Sequence, residues 1–109
     1  MEEVLKEKIT QLQMLEQRMQ ATLNQKQQIQ SRLLELDSAL KEIEGKSEAY
    51  KIIGTVMVKT NPDSLKKDLE EKREVLNVRI NSITKQEEKI KEQAEKLQKD
   101  VQDSIRENE

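Results

Sequence analysis

Cysteine and histidine are both missing from this 109-residue chain, and Tyr50 is its lone aromatic residue. Without cysteine there is no disulfide framework, no thiolate metal site and no cysteine nucleophile. Without histidine as well, zinc sites and the commonest proton-transfer catalysts drop out. A chain of this size with 1% aromatic and 33% hydrophobic residues is poorly equipped to build a globular core, because aromatic side chains normally supply much of the buried area. Two glycines and one proline leave few places for the backbone to break. Long hydrophobic runs are absent too: Val4, Leu5 and Ile9 are interrupted by Lys6, Glu7 and Lys8, which argues against a signal-peptide core or a membrane span there. No membrane partner is expected, and a cytoplasmic protein is.

Charge of one sign is also lacking. Residues 1–44 carry 6 basic and 8 acidic side chains, residues 45–61 carry 3 and 1, and residues 62–109 carry 11 and 13. No segment holds the basic excess that neutralises phosphates, so nucleic acid is not an expected partner.

What is present is Glu, Lys, Gln and Leu, the composition of long helices, with charged residues at 39%. In residues 1–44 a stripe runs through Leu5, Ile9, Leu12, Leu15, Met19, Leu23, Lys26, Ile29, Leu33, Leu36, Leu40 and Ile43 in steps of three or four. That is one face of a helix about 60 Å long. Consecutive three-residue steps around Leu12 and Lys26 predict a locally irregular heptad. In residues 62–109 the stripe runs through Leu65, Leu69, Lys72, Leu76, Ile80, Ile83, Glu87, Ile90, Ala94, Leu97, Val101 and Ile105. Its start carries Asn61 as N-cap, Pro62 at the first helical position and Asp63 in the first turn. Asp68 with Lys72, Glu87 with Lys91, Glu92 with Lys96 and Glu95 with Lys99 are spaced for i,i+4 ion pairs on the solvated face.

The two stripes match each other. In an antiparallel helical hairpin, facing positions add to a constant, and Leu40 with Leu69, Leu33 with Leu76, Ile29 with Ile80, Met19 with Ile90 and Leu12 with Leu97 all add to 109. Lys26 and Glu87 interrupt the stripes one step apart, where they can meet across the seam and fix its register.

Residues 45–61 read differently. Gly45 can close the first helix in a left-handed conformation. The run Tyr50-Lys51-Ile52-Ile53-Gly54-Thr55-Val56-Met57-Val58-Lys59 is rich in β-branched residues, with Gly54-Thr55 placed for a two-residue type II′ turn. Such a β-hairpin pairs Ile53 with Val56, Ile52 with Met57 and Lys51 with Val58, and leaves apolar side chains on both faces. An isolated two-stranded hairpin is marginal in water, so this segment implies association. The expected fold is mainly α: a long antiparallel two-helix coiled-coil hairpin with a short central β-hairpin used for oligomerisation. The whole chain, 1–109, reads as a single domain, with helix 1 at 1–44, the β-hairpin linker at 45–61 and helix 2 at 62–109.

No Gly-rich phosphate loop, metal-ligand cluster or nucleophile constellation appears. Glu70-Glu71 and Glu87-Glu88 point to different sides of a helix. Catalysis and a cofactor are therefore not expected; a protein-binding device is, with a coiled-coil tether or scaffold subunit as the alternative.

Helix, short β-hairpin and helix, with Tyr50-Lys51-x-x-Gly54, an apolar strand ending in Lys59, then Leu65, Leu69 and Leu76, resembles the beta-type subunits of the prefoldin family in their archaeal form. Gln25-Lys26-Gln27 and Gln86-Glu87-Glu88-Lys89 extend the resemblance over nearly the whole chain. It implies an ATP-independent holdase: a hetero-hexamer of two alpha-type and four beta-type subunits that captures unfolded client proteins and delivers them to a group II chaperonin. It also implies site residues. Tyr50, Ile52, Ile53, Gly54, Val56, Met57 and Val58 would serve assembly. Val4, Leu5, Ile9, Val101 and Ile105 would form the client-binding tip.

Overall fold

The computed structural model describes residues 2–107. Two long helices flank a short antiparallel hairpin: α1 (Glu2–Ile43), β1 (Ala49–Ile53), β2 (Val56–Thr60) and α2 (Pro62–Glu107). The boundaries have local causes. At the end of α1, Gly45 takes φ +75°, a left-handed value that costs glycine little, and the Lys46 N–H donates to the Ile43 carbonyl at 3.0 Å. At the start of α2, the Asn61 Oδ1 accepts the Asp63 N–H at 2.8 Å, and the Asn61 carbonyl accepts the Leu65 N–H at 3.0 Å. Pro62 lies between them as the first helical residue, where its missing N–H costs nothing.

Two compact units can be distinguished, Gln28–Ile80 and Met1–Gln27 with Asn81–Glu109. In the first, the two helical stretches run antiparallel beside the hairpin: Arg73 Nη1 donates to Asp37 Oδ1 at 3.2 Å, and Ile29 and Leu76 are buried. In the second, also antiparallel, Ile83 and Ile90 are buried, and Lys26 Nζ donates to Glu87 Oε2 at 3.0 Å. The polar interruption expected across the seam is thus closed. Each carboxylate or ammonium is only about a quarter exposed, with relative accessibilities of 28% and 25%.

The seam of α1 differs from the expected one in a single respect. Ile9 is exposed while Lys8 is half-buried, and Thr22 is buried at 7% exposure beside a half-buried Leu23. Reading Lys8 and Thr22 in place of Ile9 and Leu23 turns the stripe into steps alternating three and four from Leu5 to Ile43, a regular heptad. The predicted irregularity came from ranking positions by hydrophobicity alone. A lysine covers apolar surface with its methylene stem, and a threonine with its methyl group, so both occupy seam positions. Along α2 the same slip occurs at Ser104, half-buried where Ile105 is exposed, and the seam also takes Arg73 in place of the exposed Lys72. The four i,i+4 ion pairs expected on α2 do not close. Asp68, Lys72, Lys91, Glu92, Lys96, Glu95 and Lys99 make no salt bridge among the described residues, and Glu87 turns to Lys26 instead. An exposed pair gains little and loses side-chain entropy, so solvation wins.

Candidate interaction surfaces

The hairpin is built as its sequence predicts. Ala49 pairs with Thr60, Tyr50 with Lys59, Lys51 with Val58, Ile52 with Met57 and Ile53 with Val56. Gly54 has φ +62° and Thr55 does not share a positive φ, which is the pattern of a type II′ turn. Because side chains alternate along a strand, Ile53, Val56, Lys51, Val58, Ala49 and Thr60 occupy one face and Ile52, Met57, Tyr50 and Lys59 the other.

Only Ala49, at the root of the hairpin, is buried. Tyr50, Ile53, Val56 and Val58 are exposed, and Ile52 and Met57 reach 71% and 66% exposure. Both faces therefore present large apolar side chains that stay largely exposed among the described residues. The edges are open as well, since the sheet has two strands among the described residues. In a hairpin with a two-residue loop, the residues flanking the turn exchange their hydrogen bonds. The N–H and C=O groups of Ile52, Tyr50, Met57 and Lys59 consequently point outward, available to another strand. Between β1 and the helices of the same unit lies an open groove of about 1070 Å³, lined by Ile52 and Ile53 on one side and Leu36, Leu69, Val75 and Leu76 on the other.

The five residues expected at a client-binding tip all belong to the other unit, near the described ends of the helices. Val4, Ile9 and Ile105 are exposed, whereas Leu5 and Val101 are half-buried on the seam. Further along, Met14 is exposed on a shallow groove of about 440 Å³ with Leu15 and Leu97.

Other exposed apolar residues, Leu34, Val75 and Val78, lie off both expected stripes. The signal for them was their position: in a chain this poor in hydrophobic residues, a valine pair outside the seam marks a second apolar face. Among the described residues, no helix is long and apolar enough to cross a membrane, and no group of three or more acidic, histidine or cysteine side chains is placed to hold a metal ion.

The Prefoldin subunit family model matches residues 6–108. The chain belongs to the prefoldin family. A prefoldin subunit beta from Pyrococcus abyssi is 38% identical over 99 residues, covering 88% of this chain and 85% of the relative. The prefoldin subunit beta of Archaeoglobus fulgidus is 33% identical over 100 residues, covering 89% and 86%. The crystal structure of the prefoldin beta subunit from Thermococcus strain KS-1 superposes with a TM-score of 0.87 at 36% identity, covering 94% of this chain and 92% of that one. The resemblance drawn from Tyr50-Lys51-x-x-Gly54 and its flanking seams is therefore borne out, as is the coiled-coil fold with its central hairpin. Prefoldin is a family of chaperone subunits, and membership implies assembly with other prefoldin subunits.

Proposed function

We propose that this chain is a non-catalytic, ATP-independent holdase subunit of the cytoplasm. Residues 1–109 act as one domain, which assembles through its β-hairpin into a hetero-hexamer of two alpha-type and four beta-type subunits. The hexamer captures unfolded proteins at the coiled-coil tips and delivers them to a group II chaperonin. Tyr50, Ile52, Ile53, Gly54, Val56, Met57 and Val58 form the assembly surface. Val4, Leu5, Ile9, Val101 and Ile105 form the client surface.

The observation that supports this reading best is the partition of exposed apolar side chains. One set clusters on a two-stranded sheet with open edges, and a second set sits near the helix ends, in a different unit of the chain. A sheet edge offers backbone hydrogen bonds in a fixed register, which suits a permanent contact between subunits. Half-covered leucine, valine and isoleucine side chains near helix ends offer no such register and suit loosely specified apolar clients. Each such contact is weak. Several subunits held together raise the effective concentration of tips around one client, and the combined grip becomes useful. No step in this cycle requires a bond to be made or broken.

Deleting residues 1–9 and 101–109 separates the two roles. The truncated chain is expected to lose most of its suppression of client aggregation, read by light scattering at near-stoichiometric amounts, while keeping the native mass of the full-length assembly. Full suppression by the truncated assembly would refute the tip. A full-length chain that assembles but never suppresses aggregation would instead favour a tether.

A further inference from the structure

On α2, Glu71, Glu74, Val75 and Val78 fall at i, i+3, i+4 and i+7, which places them on one helix face. Val75 and Val78 are 60% and 65% exposed, and they share a shallow concavity of about 380 Å³ with Glu71, Glu74 and Arg79. Val75 also lines the larger groove with Ile52 and Ile53. Apolar surface is thus continuous from strand β1, across the groove, onto the outer face of α2.

We propose that this α2 face is the seat for the β-hairpin of a second copy of this chain. The inference rests on the reading of the hairpin as the assembly element and goes further, naming what the hairpin touches besides another strand. Charge selects the occupant. The segment 45–61 carries Lys46, Lys51 and Lys59 against Glu48 alone, so the hairpin is an apolar ribbon edged with ammonium groups. The seat carries two carboxylates and Arg79 beside two valines, a net charge of −1. Among the described residues Lys59 pairs with Glu48 at 3.6 Å, both groups largely exposed, and Lys51 makes no salt bridge. Both lysines remain solvent-accessible to a partner. Extent argues the same way. Two five-residue strands fall short of the roughly 20 residues a side that a stable interface engages. Continuation onto α2 adds to that contact, and in a twofold pair each hairpin lies on the other subunit's seat.

The test is the native mass of the full-length chain alone, measured by sedimentation across a concentration series, with helix content followed by circular dichroism. Glu71→Lys with Glu74→Lys should raise the concentration at which half the chain is assembled by about tenfold or more, since like charges now meet at the seat. Lys51 and Lys59 lie on opposite faces of the hairpin, so adding Lys51→Glu or Lys59→Glu singly should restore assembly towards the wild-type midpoint for the one whose face meets the seat. Val75→Ser with Val78→Ser, at positions too exposed to unfold the helix, should weaken assembly without any change in charge. If these α2 variants assemble like wild type while Ile53→Glu with Val56→Glu does not, the seat is wrong and the hairpin reading stands. If Ile53→Glu with Val56→Glu also assembles like wild type, the hairpin reading falls too. Loss of assembly that the charge swap leaves unrestored contradicts the lysine pairing and overturns the proposal. So does a wild-type chain that stays monomeric throughout, which would assign the seat to a different subunit.

Discussion

The helical seams and the β-hairpin are made from much the same aliphatic residues, yet they treat them in opposite ways. Ile29 and Ile90 are each 3% exposed, while Ile52 is 71% exposed. A second helix is enough to cover an apolar stripe, because each helix presents a single row of side chains to its neighbour. A second strand covers nothing, since side chains stand above and below the ribbon and the outer edges stay unpaired. The seam residues are thus covered within the chain itself, whereas the apolar residues of the hairpin stay exposed.

That contrast can be broken by truncating one isoleucine in each region. Ile90→Ala, at a buried seam position, should cost about 3 kcal/mol of unfolding free energy. Ile52→Ala should change the stability of the unassembled chain by less than about 0.5 kcal/mol and act instead on the assembly midpoint. Thermal or urea unfolding at a concentration below assembly checks both, and equal losses at the two sites would erase the distinction.

A smaller effect sharpens the seam side of the comparison. Lys26 and Glu87 are half-buried and bonded to each other at 3.0 Å. Replacing Glu87 alone by Leu leaves a partly desolvated ammonium and should cost about 1 kcal/mol, whereas Lys26→Leu with Glu87→Leu should come out near neutral or slightly stabilising. The pair is then a device for register, and unfolding curves of the single and double variants decide it. A double variant as unstable as the single would mean the pair contributes net stability.

Much of this was legible in the sequence. The two helices, the Asn61 cap, the Gly45 stop and the three rungs next to Gly54-Thr55 each follow from local chemistry or from periodicity, and both are local in the chain; the outer rungs, Tyr50 with Lys59 and Ala49 with Thr60, continue the same register. The meeting of Lys26 with Glu87 was legible too, because two stripes that match over their length leave one register. The errors have a common origin. Ile9 and Leu23 were preferred to Lys8 and Thr22, and Ile105 to Ser104, because hydrophobicity was used as a stand-in for direction, whereas the helix sets direction by its own pitch. The α2 face of Val75 and Val78 was missed for the complementary reason: a search for the seam discards apolar residues that fall off it. Once the seam is seated as a regular heptad in α1, those residues stand out as surface.

The central claim, that the hairpin assembles the protein and the seams only fold it, is tested most directly by the native mass and helix content of the Ile53→Glu, Val56→Glu chain. These two residues face each other across the rung next to the turn, and both are exposed. Every higher oligomer should be lost while the helical circular dichroism signal of the wild type is kept. Retention of the wild-type native mass, or loss of the helices along with the oligomer, would contradict the claim.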